Sequence, residues 1–205
     1  MSAFVPTDDG RVLARFSRGE KQVLLSLSRQ LAGLLGAVAS SDRGADEISV
    51  EGSDDGWQTD PALQRLFPDA YRDDVEASEE FRRFTQRELA TSKVEAALAV
   101  EGALDAERFP SDARLGILID ADAAWSWLRH LTDLRLTIAA RLGIVDDPHA
   151  FDADLVPEEL SEEELSARGV FDWLGSVQEL LIVALEEVAE ENAERTDPPV
   201  GAGDS

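Results

Sequence analysis

The chain contains no cysteine. That excludes disulfides, thiolate nucleophiles, zinc–cysteine centres and thiol redox switching. Histidine is almost as scarce, with His130 and His149 the only two. No H-E-x-x-H helix, phosphate-binding G-x-x-x-x-G-K-[ST] loop, G-x-G-x-x-G turn or G-x-S-x-G elbow occurs. Cations are few, 19 Lys and Arg against 43 Asp and Glu, for a formal charge of −24. A field of that sign repels a phosphate backbone, so direct nucleic-acid binding is not expected. No apolar run approaches the roughly 20 residues that span a bilayer, and no membrane contact is expected. The N-terminus "MSAFVPTDDG" lacks the basic-then-apolar pattern of a leader, which points to a cytoplasmic location.

What is present is unevenly charged. Residues 1–45 carry six cations and four acids, residues 46–145 eleven and twenty-one, and residues 146–205 two and eighteen. Arg11, Arg15, Arg18, Lys21 and Arg29 form the basic N-terminal set, read as solvating a helix face. The acidic C-terminal third is suited to a partner protein with a basic surface.

The pattern of apolar residues predicts a mainly α protein, a single-domain helical bundle with a short N-terminal β-hairpin. "AFVPTDDGRVLARFS" gives the hairpin, with Asp-Gly favouring the turn. Ser17 and Glu20 form a capping box for a helix marked by Val23, Leu24, Leu27, Leu31, Leu34 and Leu35. Residues 40–60 read as a flexible acidic loop inside one helical domain over 1–195, and 196–205 as a disordered tail. Asp60 and Pro61 open a short helix. A long helix runs from about Val75 to Ala103. "LGILID" is either a strand or the lead into the next helix. Asp120 or Asp122 caps a helix that stops at Gly143, "PEELSEEELSAR" forms a short helix, and a separate long helix begins at "GVFDWLG".

The segment "WSWLRHLTDLRLTIAARLG" has the most chemistry in it. At 100° per residue, Trp127, Leu131, Leu134, Ile138 and Leu142 share one side, which Trp125, Leu128 and Leu136 widen. So wide an arc predicts a central helix. It also allows a homodimer if one chain cannot cover it. His130 and Asp133 project to the opposite, polar arc, expected to face solvent, with Arg129 paired to Asp133. Arg135 points into the apolar arc and must find an acceptor. Gln178, Asp172 and Glu179 on the last helix are the candidates. The sharper alternative is a ligand pocket built on Arg135, Trp125 and Trp173. No cofactor and no metal are expected. The loop "DDPHAFDAD", with Asp146, Asp147, His149, Asp152 and Asp154, lacks the glycine and glutamate of a calcium loop.

Three segments, "RLFPDAYRDDVEASEEFRRFTQRELATSKVEAA", "WSWLRHLTDLRLTIAARLGI" and "VFDWLGSVQELLIVAL", together resemble the actinobacterial AosR-like family. That family is catalogued as a domain of unknown function and encoded near the proteolytic adaptor ClpS. The resemblance implies a non-enzymatic, cytoplasmic regulatory protein, like relatives that govern transcription under oxidative stress through protein–protein contacts. The matching positions are Tyr71, Arg72, Trp127, Asp133, Arg135, Leu136, Trp173, Leu174 and Gln178, implied as structural or partner-contacting. Those relatives sense redox through a cysteine pair, which this chain lacks. A small-ligand-sensing domain and an accessory of the ClpS protease system are the alternatives.

Overall fold

A computed structural model describes residues 3–40, 60–68, 75–106, 115–144 and 160–196. Strands β1 (Ala3–Pro6) and β2 (Val12–Phe16) form the expected hairpin. Its turn closes through Gly10 N–H to the Thr7 carbonyl, with Gly10 at φ 79°, a conformation glycine adopts without a Cβ penalty. Helix α1 (Arg18–Ser40) follows at once. The Ser17 N–H donates to Glu20 Oε2 and the Glu20 N–H to Ser17 Oγ, so the capping box is in place.

Helix α2 (Pro61–Leu66) starts where Asp60 Oδ1 accepts from the Ala62 N–H. Helix α3 (Val75–Ala106) runs one turn further than the sequence suggested. The ambiguous "LGILI" is strand β3 (Leu115–Ile119), antiparallel to β2. The hairpin is therefore two-thirds of a three-stranded sheet in the order β1-β2-β3. Helix α4 (Ala121–Arg141) is capped by Asp120, which accepts from the Ala123 N–H, and ends at Gly143 with φ 67°.

Helix α5 (Glu162–Thr196) is one continuous helix, not the two expected. Ser161 and Glu164 form its capping box, so it begins inside the segment expected to be the short helix, at Glu162 rather than Pro157. Gly169 does not break it. A glycine in a helix interior costs only about 1 kcal/mol, and the half-buried Val170 and Phe171 that follow pack inward.

One sheet face is the floor of the core. Val12, Ala14 and Phe16 of β2 alternate inward with Ile117 and Ile119 of β3. The Phe16 ring stacks on Trp127 of α4 at 5.9 Å and meets Phe4 of β1 edge-on at 5.8 Å. Above the sheet lie Leu24, Leu31 and Leu35 of α1, Val100 and Leu104 of α3, Leu131 and Leu134 of α4, and Leu174, Val177 and Leu181 of α5. Helix α4 touches α1, α2, α3 and α5, as its wide apolar arc required.

Against expectation, α1 is long and apolar enough to cross a membrane by length and composition alone, with a mean hydropathy of 1.4 over its best window. Arg29 and Gln30 interrupt the run, but leucine, valine and alanine carry the average. In the fold its inward side packs on α3, and Arg29 pairs with Glu101 at 2.7 Å and Asp105 at 2.8 Å.

Candidate functional site

The polar groups of α4 are where chemistry would be sought, and they divide into two clusters. The first surrounds Arg135. Its Nη1 donates to Gln178 Oε1 at 2.9 Å, and Gln178 Nε2 donates to Thr132 Oγ1 at 2.8 Å. Thr132 Oγ1 in turn donates to the Leu128 carbonyl at 2.8 Å. The guanidinium lies over the Phe171 ring at 5.1 Å, a cation–π distance. A Cβ built on Gly175 would stand 3.6 Å from Arg135 Cζ, ordinary van der Waals contact, so the guanidinium lies against α5 at this turn. Arg135 Nε is buried, and no described residue accepts from it.

Of the three candidate acceptors for Arg135, Gln178 is the one that takes its hydrogen bond. Asp172 is exposed and contributes its carbonyl, not its carboxylate, to a bond from the Ser176 hydroxyl at 3.2 Å. Replacing Gln178 by Ala leaves a half-buried cation without its acceptor and should cost about 1–3 kcal/mol. Urea unfolding reads this as a lowered midpoint at unchanged slope; an unchanged midpoint contradicts the assignment.

The second cluster corrects the projection. His130 is 0% exposed and Asp133 3%, so neither faces solvent. The polar arc of α4 is roofed by α1 and α3, and each brings a polar partner. Ser28, itself 0% exposed in the apolar face of α1, shares a 2.7 Å hydrogen bond with His130 Nε2. Lys93 of α3 donates to Asp133 Oδ1, replacing the Arg129 expected. Arg129 instead sends Nε to the Trp125 carbonyl at 3.2 Å.

Burial dominates the electrostatics of both groups. It holds the His130 imidazole down at about 4. It raises the Asp133 carboxyl, with the Lys93 hydrogen bond and charge pulling the other way. Ser28 and His130 have the separation of a nucleophile and its base. Both are sealed from solvent, and Asp133 is held by Lys93, while His130 Nδ1 has no described partner. The hydrogen bond of this buried pair joins α1 to α4.

Among the remaining expected positions, Trp127 is 2% exposed in the core, and Trp173 packs partly buried against it. Tyr71, Arg72 and the acidic loop with His149 lie outside the described residues. The pocket envisaged on Arg135, Trp125 and Trp173 is not assembled, because Trp125 is 65% exposed while Arg135 is covered by Phe171, Gly175 and Gln178. Of the basic N-terminal set, Arg11 pairs with Asp9, whose carboxyl its hydrogen bond holds down at about 2, and Arg29 pairs across to α3. Among the described residues no group of three or more His, Asp or Glu is arranged to hold a metal ion.

A small helical domain on a three-stranded sheet is the class that this geometry defines. The chain belongs to the DUF2017 family, described as a domain of unknown function, whose model matches residues 1–185. No curated protein and no solved structure matches it.

Proposed function

We propose that this is a non-enzymatic, cytoplasmic regulatory protein of the AosR-like actinobacterial kind, acting by contact with a basic surface of the transcription machinery. The observation that carries the reading is the charge. A chain of net −24, with eighteen acids among its last sixty residues, favours a cationic protein over nucleic acid. The interior supports it from the other side, since His130, Asp133 and Arg135 are engaged with Ser28, Lys93 and Gln178 of the neighbouring helices. Without cysteine, any response to oxidative stress must reach the chain through its partner or its abundance.

Affinity purification of the full chain from its native cells, followed by mass spectrometry, tests the reading. RNA polymerase or a polymerase-bound factor should be enriched over a similarly acidic control protein. Enrichment of the ClpS protease system instead would move the chain to that pathway and contradict the transcriptional role.

A further inference from the structure

The α4–α5 seam carries an apolar strip that ends in the open. Gln178 bonds Thr132, and Arg135 reaches back to Phe171 and Gly175, so the two helices run antiparallel. Trp125 lies seven residues before Thr132, and Leu185 seven after Gln178. Both are two turns from the bridge and stand at the same level. Trp125 is 65% exposed, the most exposed large apolar side chain described, and Ile182 is 39% exposed.

Acids bracket Ile182 at helical spacing, whereas Trp125 has an acid one turn before it and Arg129, bonded to its carbonyl, one turn after it. Asp122 is one turn before Trp125, and Glu179 and Glu186 are one turn either side of Ile182; all three are exposed. Between Gly169 and Glu194 the helix has seven acids and no cation.

We propose that Trp125 and Ile182, with Asp122, Glu179 and Glu186 as their rim, form the docking surface for a cationic amphipathic helix of the partner. This rests on the regulatory reading above. The occupant's apolar face covers Ile182 and the edge of the indole, and its Lys or Arg side chains meet the three carboxylates and the indole face. An exposed tryptophan with a charged rim is the composition of an interface centre. A second copy of this chain fits badly, because a two-fold contact here would set the same carboxylates against themselves.

The probe is a synthetic helical peptide with leucines at i, i+3, i+4 and i+7 and arginines on both flanks. Its affinity for the full chain is measured by fluorescence anisotropy over a salt series. One-to-one binding is expected, weakened at least about tenfold by Trp125→Ser or Ile182→Ser. Glu179→Gln with Glu186→Gln should flatten the salt dependence. Leu165→Ser, on the same helix at 44% exposure, should leave the affinity within about twofold. Trp125 is largely solvated, so its variant should keep the native circular dichroism and melting temperature.

Unchanged affinity in Trp125→Ser and Ile182→Ser means that charge alone attracts the peptide, and overturns the site, as does equal weakening by Trp125→Ser and Leu165→Ser. So does a dimer, by sedimentation, that Trp125→Ser dissolves. Localised peptide binding without any transcription protein recovered from cells leaves the surface standing and removes the regulatory reading. Recovery of those proteins by Trp125→Ser as fully as by the native chain does the reverse.

Discussion

Lys93→Met should destabilise the fold by about 3 kcal/mol at neutral pH, because it strands a carboxylate in the core. The Asp133 side chain is 5% exposed, and Lys93 is the group that bonds it. The loss should shrink on acidification. The Asp133 carboxyl already titrates above its ordinary value, and removing Lys93 raises it further. A folded carboxyl with a raised pKa keeps its proton to higher pH than the unfolded chain does. It therefore favours folding most at low pH, and that contribution is lost as the pH rises through the folded-state value. Lys93→Met with Asp133→Leu removes both charges and should recover most of the stability, since an apolar pair of similar volume replaces a buried ion pair at little cost. Denaturant titrations of the three variants at two pH values check this; additive losses in the double variant contradict it.

The second large effect belongs to His130, and its pH slope has the opposite sign. The unfolded imidazole takes a proton near 6.5, whereas burial keeps the folded one neutral down to about 4. Between these values the unfolded chain binds more protons, so stability is fully present above the unfolded value and is lost as pH falls toward the folded one. From about pH 7.5 to about pH 5 the loss from this group should be about 2 kcal/mol. His130→Gln cannot titrate, and its stability should fall less over the same range by that amount. Parallel stability curves for the two proteins would show that His130 is solvated in solution.

The two groups differ in how far the sequence revealed them. Arg135 was legible because a lone cation inside an apolar arc needs an acceptor, and Gln178 stood at the edge of the facing arc. His130 and Asp133 were misread because a projection ranks faces within one helix and does not show what covers them. Their covering residues left a faint mark. Ser28 sits at helical spacing among Leu24, Leu31 and Leu35, a hydroxyl in an apolar face that also needs a partner. Lys93 carried no such sign, since a lysine among Ser92, Val94 and Glu95 looks like any solvated position. Trp125 erred the other way. It was placed on the widened edge of the apolar side, yet it is exposed while Ala124 and Trp127 beside it are in the core.

The fold shows the same division. Caps and turns are local, so Ser17–Glu20, Asp60–Pro61, Asp120 and the Gly10 and Gly143 stops were all readable. Strand β3 is distant in sequence from β2, and five apolar residues have no period that separates a strand from a helix start. Only the pairing of Val12 with Ile119 and of Phe16 with Leu115 decides it. The continuity of α5 through Gly169 is likewise set by packing, which outweighs the small local preference for a break.

On the proposed reading the interior is a scaffold and the acidic surface meets the partner. The most direct test is the binding of the purified chain to purified RNA polymerase from the same organism, beside its binding to DNA, by interferometry at two salt concentrations. The account predicts a saturable protein complex that weakens as salt rises, and no sequence-specific DNA binding. Tight, sequence-specific binding to DNA by the chain alone, with no complex formed with polymerase, would contradict it.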